Sequence, residues 1–319
     1  MASIKLEASR SWLPKACVNA PAVSLQPCSR MAARISSRAA AHSPTRGCAL
    51  SWGAMSIARS SAAQRLVQQL GELDPVTQQF LTAAADTAVS RWKEKDQGIW
   101  EIRGEPRDFL YSKLQCWAAL HRAIDIAPQL DAQHKVEQWA AAREEIRAAI
   151  TDQGWSEQAG AFTQAFGSQD LDASNLMLAI TGFLPGDDPR MKATIDATAA
   201  RLTDERGLVY RYLAHDGLAG EEGTFLLCTF WLAQAQALAG EVDQATATFE
   251  RAAAAINDVG LLAEEVDVPS GEMIGNFPQA FSHIGLINAA WAISQAQEHA
   301  ADRRHHAAAG PAAAKEHRS

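Results

Sequence analysis

No apolar run in this chain approaches the roughly 18 residues of a membrane-spanning helix, and no hydrophobic secretory core follows its first residues. Cysteine is scarce and unpatterned: five in 319 residues, three of them in the first 70. The other two, Cys116 and Cys228, lie inside apolar stretches. A free thiol there acts as a small buried hydrophobe, which points to a reducing compartment. No Cys/His cluster has zinc spacing, no glycine-rich loop follows a strand, and no Gly-x-Ser-x-Gly is present. Metal and nucleotide readings fall away, and no cofactor is expected.

Acid is almost missing from residues 1–70, where nine Lys and Arg face the single Glu7. This leader, rich in Ala, Ser and Arg, has the composition of a transit peptide but no clear amphipathic helix. It reads equally as a stretch ahead of a start at Met31 or Met55. The expected location is cytoplasmic, or organellar if the leader is a transit peptide. With a net charge of −8 overall, the remaining residues carry −16. Phosphate binding needs a basic face, so neither nucleic acid nor an anionic membrane is expected as a partner.

What is present is helical periodicity. Residues 75–92, 131–150, 189–202 and 241–256 have apolar positions three and four apart, the mark of helices with one wet face. Residues 111–127, 171–183, 224–238 and 278–296 are apolar over more than one face and call for burial. Clusters around Trp117, Leu176, Phe230 and Ile287 recur at spacings of 59, 54 and 57 residues. One buried plus one outer helix per repeat makes an array of helical hairpins. Closed into a ring, the array sets inner helices around an axis and outer helices over them.

The joins differ by side. Those from buried to outer helix are short, whereas those from outer to buried helix (98–110, 154–170, 207–223 and 261–277) are long. The long loops open at one end of the ring, where function is expected. Each mixes aromatics and carboxylates: Trp100, Trp155, Phe162, Phe166, Tyr210, Tyr212 and Phe277 beside Glu101, Glu157, Asp170, Glu221, Glu222, Glu264 and Glu265. Sugars suit such a lining, because their C–H faces stack on rings while their hydroxyls need charged and amide partners. The richest loop sets Glu264 and Glu265 at the end of an outer helix, with Asn276, Phe277 and Pro278 opening the next helix. Two adjacent glutamates alone are more often solvated; Glu101, in a similar loop between Trp100 and Arg103, makes an acid and base pair the sharper reading. His283, on a buried helix, reads as a satisfied core group that positions a loop.

The segments GIWEIRGEPRDFLYSKLQCWAALHRAI, LVYRY, EEGTFLLCTFWLAQAQALAG, LLAEEVD and GNFPQAFSHIGLINAA closely resemble bacterial members of glycoside hydrolase family 15. That family includes glucoamylases, glucodextranases and a trehalase branch. The likeness runs over about residues 71–297. It implies an all-α (α/α)6 toroid, of which about four of six hairpins are expected in residues 71–298, with a low-complexity, disordered tail at 299–319. It implies Glu101 as general acid and Glu264 as general base, with Glu265 the competitor for that role. It also implies Arg211 and Tyr212 beside the cleaved bond, with Glu221 and Glu222 shaping the pocket. Trp100, Arg103, Glu265, Asn276 and Gln279 complete the expected substrate contacts.

Such a pair suits inverting removal of glucose from the non-reducing end of an α-glucoside such as starch, dextran or trehalose, with carboxyls roughly 6.5 to 9.5 Å apart. Trp100 would supply an apolar wall beside the acid. The family's N-terminal part, with its Trp and Arg-Asp groups for the terminal glucose, has no counterpart in the leader. Competing readings are therefore a fragment without substrate grip, and a carbohydrate-binding or interaction module. An open ring would also leave apolar flanks exposed, a route to self-association.

Overall fold

The computed structural model describes residues 73–214 and 222–308. Glu221 lies outside the described residues.

The first helix, α1 (Pro75–Arg91), starts where the sequence dictates: Asp74 accepts hydrogen bonds from the amides of Val76 and Thr77, and Pro75 fills the first turn. Such a cap satisfies amides that have no partner inside the helix. Then come α2 (Leu110–Asp125) and α3 (Val136–Gln153). Leu110, Leu114, Trp117 and Leu120 bury α2 on more than one side, whereas α3 buries a single stripe of Trp139, Ala142, Ile146 and Ile150. The alternation continues with α5 (Pro189–Arg201), again capped by an aspartate, Asp188. After it come the buried α6 (Leu226–Leu238), the one-sided α7 (Val242–Ala253) and the long α8 (Ala280–Ala308). α2 packs on α1 and α3, and α6 packs on both α7 and α8. The described chain is therefore an array of helix pairs, as the repeat spacing requires.

Two elements differ from expectation. Residues 171–183 do not form a full buried helix; a 3-10 turn (Ala173–Leu176) leads into the single-turn α4 (Met177–Ile180). Asp172 caps that start and Gly182, at φ 79°, ends it, so the segment cannot lengthen at either end. α8 begins at Ala280 rather than Pro278, and it continues to Ala308, into the stretch expected to be disordered. Alanine-rich sequence favours that extension. Nor is α8 buried all round. Ser282, Gly285, Ala289 and Ile293 face the core, while Phe281, Ile284, Ile287 and Trp291 are 42–67% exposed. An exposed apolar flank on the last inner helix was anticipated, and it is there.

The long loops are joined to one another by backbone pairing. The first meets the second where Leu110 donates to Gln164 (3.0 Å) and Phe166 to Asp108 (2.9 Å). Asp172 bridges Tyr212, and Ala173 donates to Arg211 (2.9 Å), linking second to third. The second loop also folds on itself as the hairpin β1 (Trp155–Ser156) and β2 (Ala161–Phe162). Third and fourth meet in an antiparallel sheet of β3 (Thr224–Phe225), β4 (Glu265–Val266) and β5 (Met273–Ile274). In it Phe225 pairs Glu265, and Glu265 pairs Ile274. Successive loops thus form one continuous rim. Among the described residues no helix is long and apolar enough to cross a membrane.

Candidate active site

The first loop rests on a buried lysine. Lys113, only 2% exposed, donates to the Glu94 carbonyl and pairs with Asp108 at 3.0 Å. Beside it Asp96 accepts from the Gly98 amide and the Ser112 hydroxyl. Burial raises the Asp96 carboxyl, against the pull of these hydrogen bonds. On this base stands the turn of Trp100 and Glu101, closed by the Ile102 amide on the Gln97 carbonyl (3.0 Å). Glu101 has φ 52°, in the left-handed region that side-chain-bearing residues rarely occupy. Its carboxylate is exposed. The apolar wall expected beside Glu101 is absent, because Trp100 is turned into the core against Phe225 (centroids 5.6 Å apart) and Trp231 (6.2 Å). Arg103 is exposed on the same loop.

Over the Trp100 and Phe225 rings, at 5.7 and 5.4 Å, lies the Arg211 guanidinium. It pairs with Glu222 and reaches Glu265 at 3.8 Å. Burial opposes the Arg211 charge, but Glu222 and Glu265 outweigh it and push its pKa up. For Glu265 burial dominates: its carboxyl is raised, with Glu222 and Glu264 adding repulsion against the attraction of Arg211. Tyr212 is 5% exposed, so it stands behind the rim rather than on it. Cys228 lies fully buried near this cluster, and burial pushes its thiol well up. That is the inert hydrophobe its position implied.

Glu264 and Glu265 were expected at the end of an outer helix. That helix stops at Ala253; Glu264 sits instead at the entry to β4, and Glu265 is the first residue of that strand. The strand explains their difference, because successive side chains point to opposite faces. Glu265 turns to Arg211. Glu264 turns to the far arm of the loop, where it accepts from the Asn276 amide (3.1 Å), the Asn276 side chain (2.8 Å) and Gln279 (3.2 Å). Gly275, at φ 75°, allows this grip: a Cβ there would lie 3.0 Å from the Cβ and Oε2 of Glu264. His283 braces the same arm. Its Nε2 accepts from the Leu262 amide (3.3 Å), which leaves Nδ1 to donate to the Gln279 carbonyl (2.7 Å). The histidine is a satisfied positioning group, as its place on α8 implied.

A family model for glycosyl hydrolases family 15 matches residues 54–291. The chain belongs to glycosyl hydrolases family 15. It is 45% identical to a trehalase of Mycobacterium tuberculosis over 223 residues, 69% of this chain and 32% of that protein. It is 37% identical to a trehalase of Thermoplasma volcanium, over 64% of this chain and 33% of that protein. The chain thus spans about a third of the length of the curated relatives it matches. Among solved structures, a glycosidase in complex with glucose superposes with a TM-score of 0.64 at 17% identity, over 77% of this chain and 66% of that one. A glucoamylase of Saccharomycopsis fibuligera gives 0.60 at 12% identity, over 78% and 70%. At such identities the likeness shows the fold: the helix pairs described here are arranged as in the all-α glucoamylases.

Within the family 15 chain, the structure brings Trp100, Arg211, Glu222 and Glu265 into one cluster. It brings Glu264, Asn276 and Gln279 into a second, and joins the two along β4. One member of the first cluster escaped the sequence reading. Asp172 is 3% exposed and accepts the Trp100 indole N–H through both carboxylate oxygens, at 3.0 and 3.1 Å. An aspartate just ahead of an apolar run is a capping signal, and Asp172 does cap the turn at Ala173. Its tie to a residue 72 positions away left no local trace.

Proposed function

We propose that this chain carries the acid and base of an inverting glycoside hydrolase that removes glucose from α-glucosides. The observation that carries the reading is the rim. Backbone pairing joins the loop bearing Glu101 to the loop bearing Glu264 through the second and third loops, so both carboxylates stand on one continuous edge. The left-handed backbone of Glu101 supports it, since strained conformations of this kind cluster at functional sites.

In this reading Glu101 donates its proton to the glycosidic oxygen as the C1–O bond breaks. Glu264 takes a proton from water as that water adds to C1 from the opposite face. Its three N–H partners fix both oxygens, so it enters the step already oriented. Glu265, half-buried against Arg211, is less free to take a water proton, which favours Glu264 as base. Trehalose, the substrate that the names of the relatives indicate, would yield one β-glucose from the inverted centre and one α-glucose from the leaving group.

The test follows the anomers by proton NMR as purified protein acts on trehalose and maltose. Early β-glucose in the inverted position is expected, and Glu101→Gln and Glu264→Gln should each lower kcat by about 100- to 10,000-fold. Retained α configuration at C1, or full activity in either variant, rules the assignment out.

A further inference from the structure

Asp172 is an expensive residue. A carboxylate 3% exposed forfeits its hydration, and burial raises its pKa against four hydrogen-bond donations. Burying a charge of this kind is unfavourable unless its partners offset the lost hydration. Capping the 3-10 turn does not require it, because Ser, Thr or Asn caps such a start. What only a carboxylate supplies here is acceptor capacity on two oxygens. Oδ1 accepts from the Ser174 amide at 2.7 Å and from Trp100 Nε1 at 3.0 Å. Oδ2 accepts from Gln164 Nε2 at 3.1 Å and again from Trp100 at 3.1 Å. An asparagine would offer one oxygen and turn its own N–H2 towards a donor.

These partners come from different loops. Trp100 belongs to the first, Gln164 to the second, and the backbone of Asp172 bridges Tyr212 in the third. The Trp100 ring meets Phe225 in a T-shaped contact, Trp231 at a tilt, and the Arg211 guanidinium above it. Ring packing of this kind has little directionality, whereas the indole N–H bond fixes the direction in which the ring's polar edge points. Glu101 follows Trp100 directly, at a φ that persists only where its surroundings over-determine it.

We propose that Asp172 is a positioning residue for glycoside cleavage: through the Trp100 indole it holds the turn that carries Glu101 in the orientation from which a proton reaches the leaving oxygen. The proposal rests on the reading of Glu101 as general acid. It makes Asp172 matter only as far as the leaving group needs protonation.

That dependence is the test. Trehalose leaves poorly and needs the acid, whereas fluoride leaves α-glucosyl fluoride with little proton assistance. Kinetics on both substrates are compared for the wild type, Asp172→Asn, Trp100→Phe, the double variant and Glu101→Gln, with melting curves to establish folding. Asp172→Asn is expected to lose about 10- to 100-fold in kcat on trehalose, since small misplacements of a reacting group cost that much. On the fluoride it should lose at most a few-fold, with KM within about two-fold on both. Trp100→Phe, which keeps a ring and drops the N–H, should match it, and the double variant should be no worse than the poorer single. If Asp172→Asn does not fold, Trp100→Phe carries the same comparison. Equal losses on both substrates, or losses that multiply in the double variant, overturn the proposal while leaving Glu101 as acid if Glu101→Gln remains selective. A Glu101→Gln variant without selectivity, or a folded wild type that cleaves neither substrate, overturns both.

Discussion

Neighbouring glutamates acquire different characters from one residue's difference in strand direction. Glu264 is met by three N–H groups and lies partly open, while Glu265 is turned inward to Arg211 and Glu222. The inward position has a pH signature. Burial sets the Glu265 carboxyl above its ordinary 4.5, so the folded chain holds that proton more tightly than the unfolded one. The resulting stabilisation is complete below about 4.5 and is lost as pH rises through the raised folded value. Glu265→Gln is neutral throughout and lacks this dependence. The wild-type melting temperature minus that of Glu265→Gln should therefore grow as the pH falls from about 8 towards 4.5. A difference that stays flat, or shrinks, contradicts the burial argument.

Among elements, the fourth loop is the most exacting. The strand pair β4 and β5 brings Asn276 back to Glu264, and the left-handed Gly275 makes the close return possible. Gly275→Ala should strain the backbone by about 1 kcal/mol or more and push Glu264 off its amides. The expected result is a fall of about 10- to 100-fold in kcat with a melting temperature lowered by only a few degrees. The helices were readable because their signals are local: Asp74-Pro75 and Asp188-Pro189 announce their starts, and each apolar stripe repeats at helical spacing. The short strands were not, since two-residue strands such as Glu265–Val266 carry no periodicity. The pairing of β3 with β4 is set across a long separation, as Thr224 with Val266 shows. The candidate site was legible to the same degree: Glu101, Arg211 and Glu264 through motifs, Asp172 not at all beyond its cap.

At the scale of the whole described molecule, large apolar side chains are buried in the inner part of the array and exposed along α8. Trp139, fully buried in α3, also donates its indole N–H to Asp86 at 3.0 Å. Trp291 on α8 is 67% exposed. Trp139→Ala should cost about 3–5 kcal/mol, as large core deletions do. Trp291→Ser should change stability by about 0.5 kcal/mol or less, as exposed sites do. Chemical denaturation of both variants checks the contrast; a large loss at Trp291 would mean that its flank is covered in solution.

The stitching of each loop to the next has a consequence for how disturbance spreads. Backbone pairing runs from each loop to the next, but Trp100 also meets Arg211 and Phe225 directly, so the first loop is tied to the third by a short cut. A ligand that stiffens the third loop should therefore slow amide exchange around Trp100 as well as in the second and fourth loops, so the two proposed carboxylates would sense one occupant together.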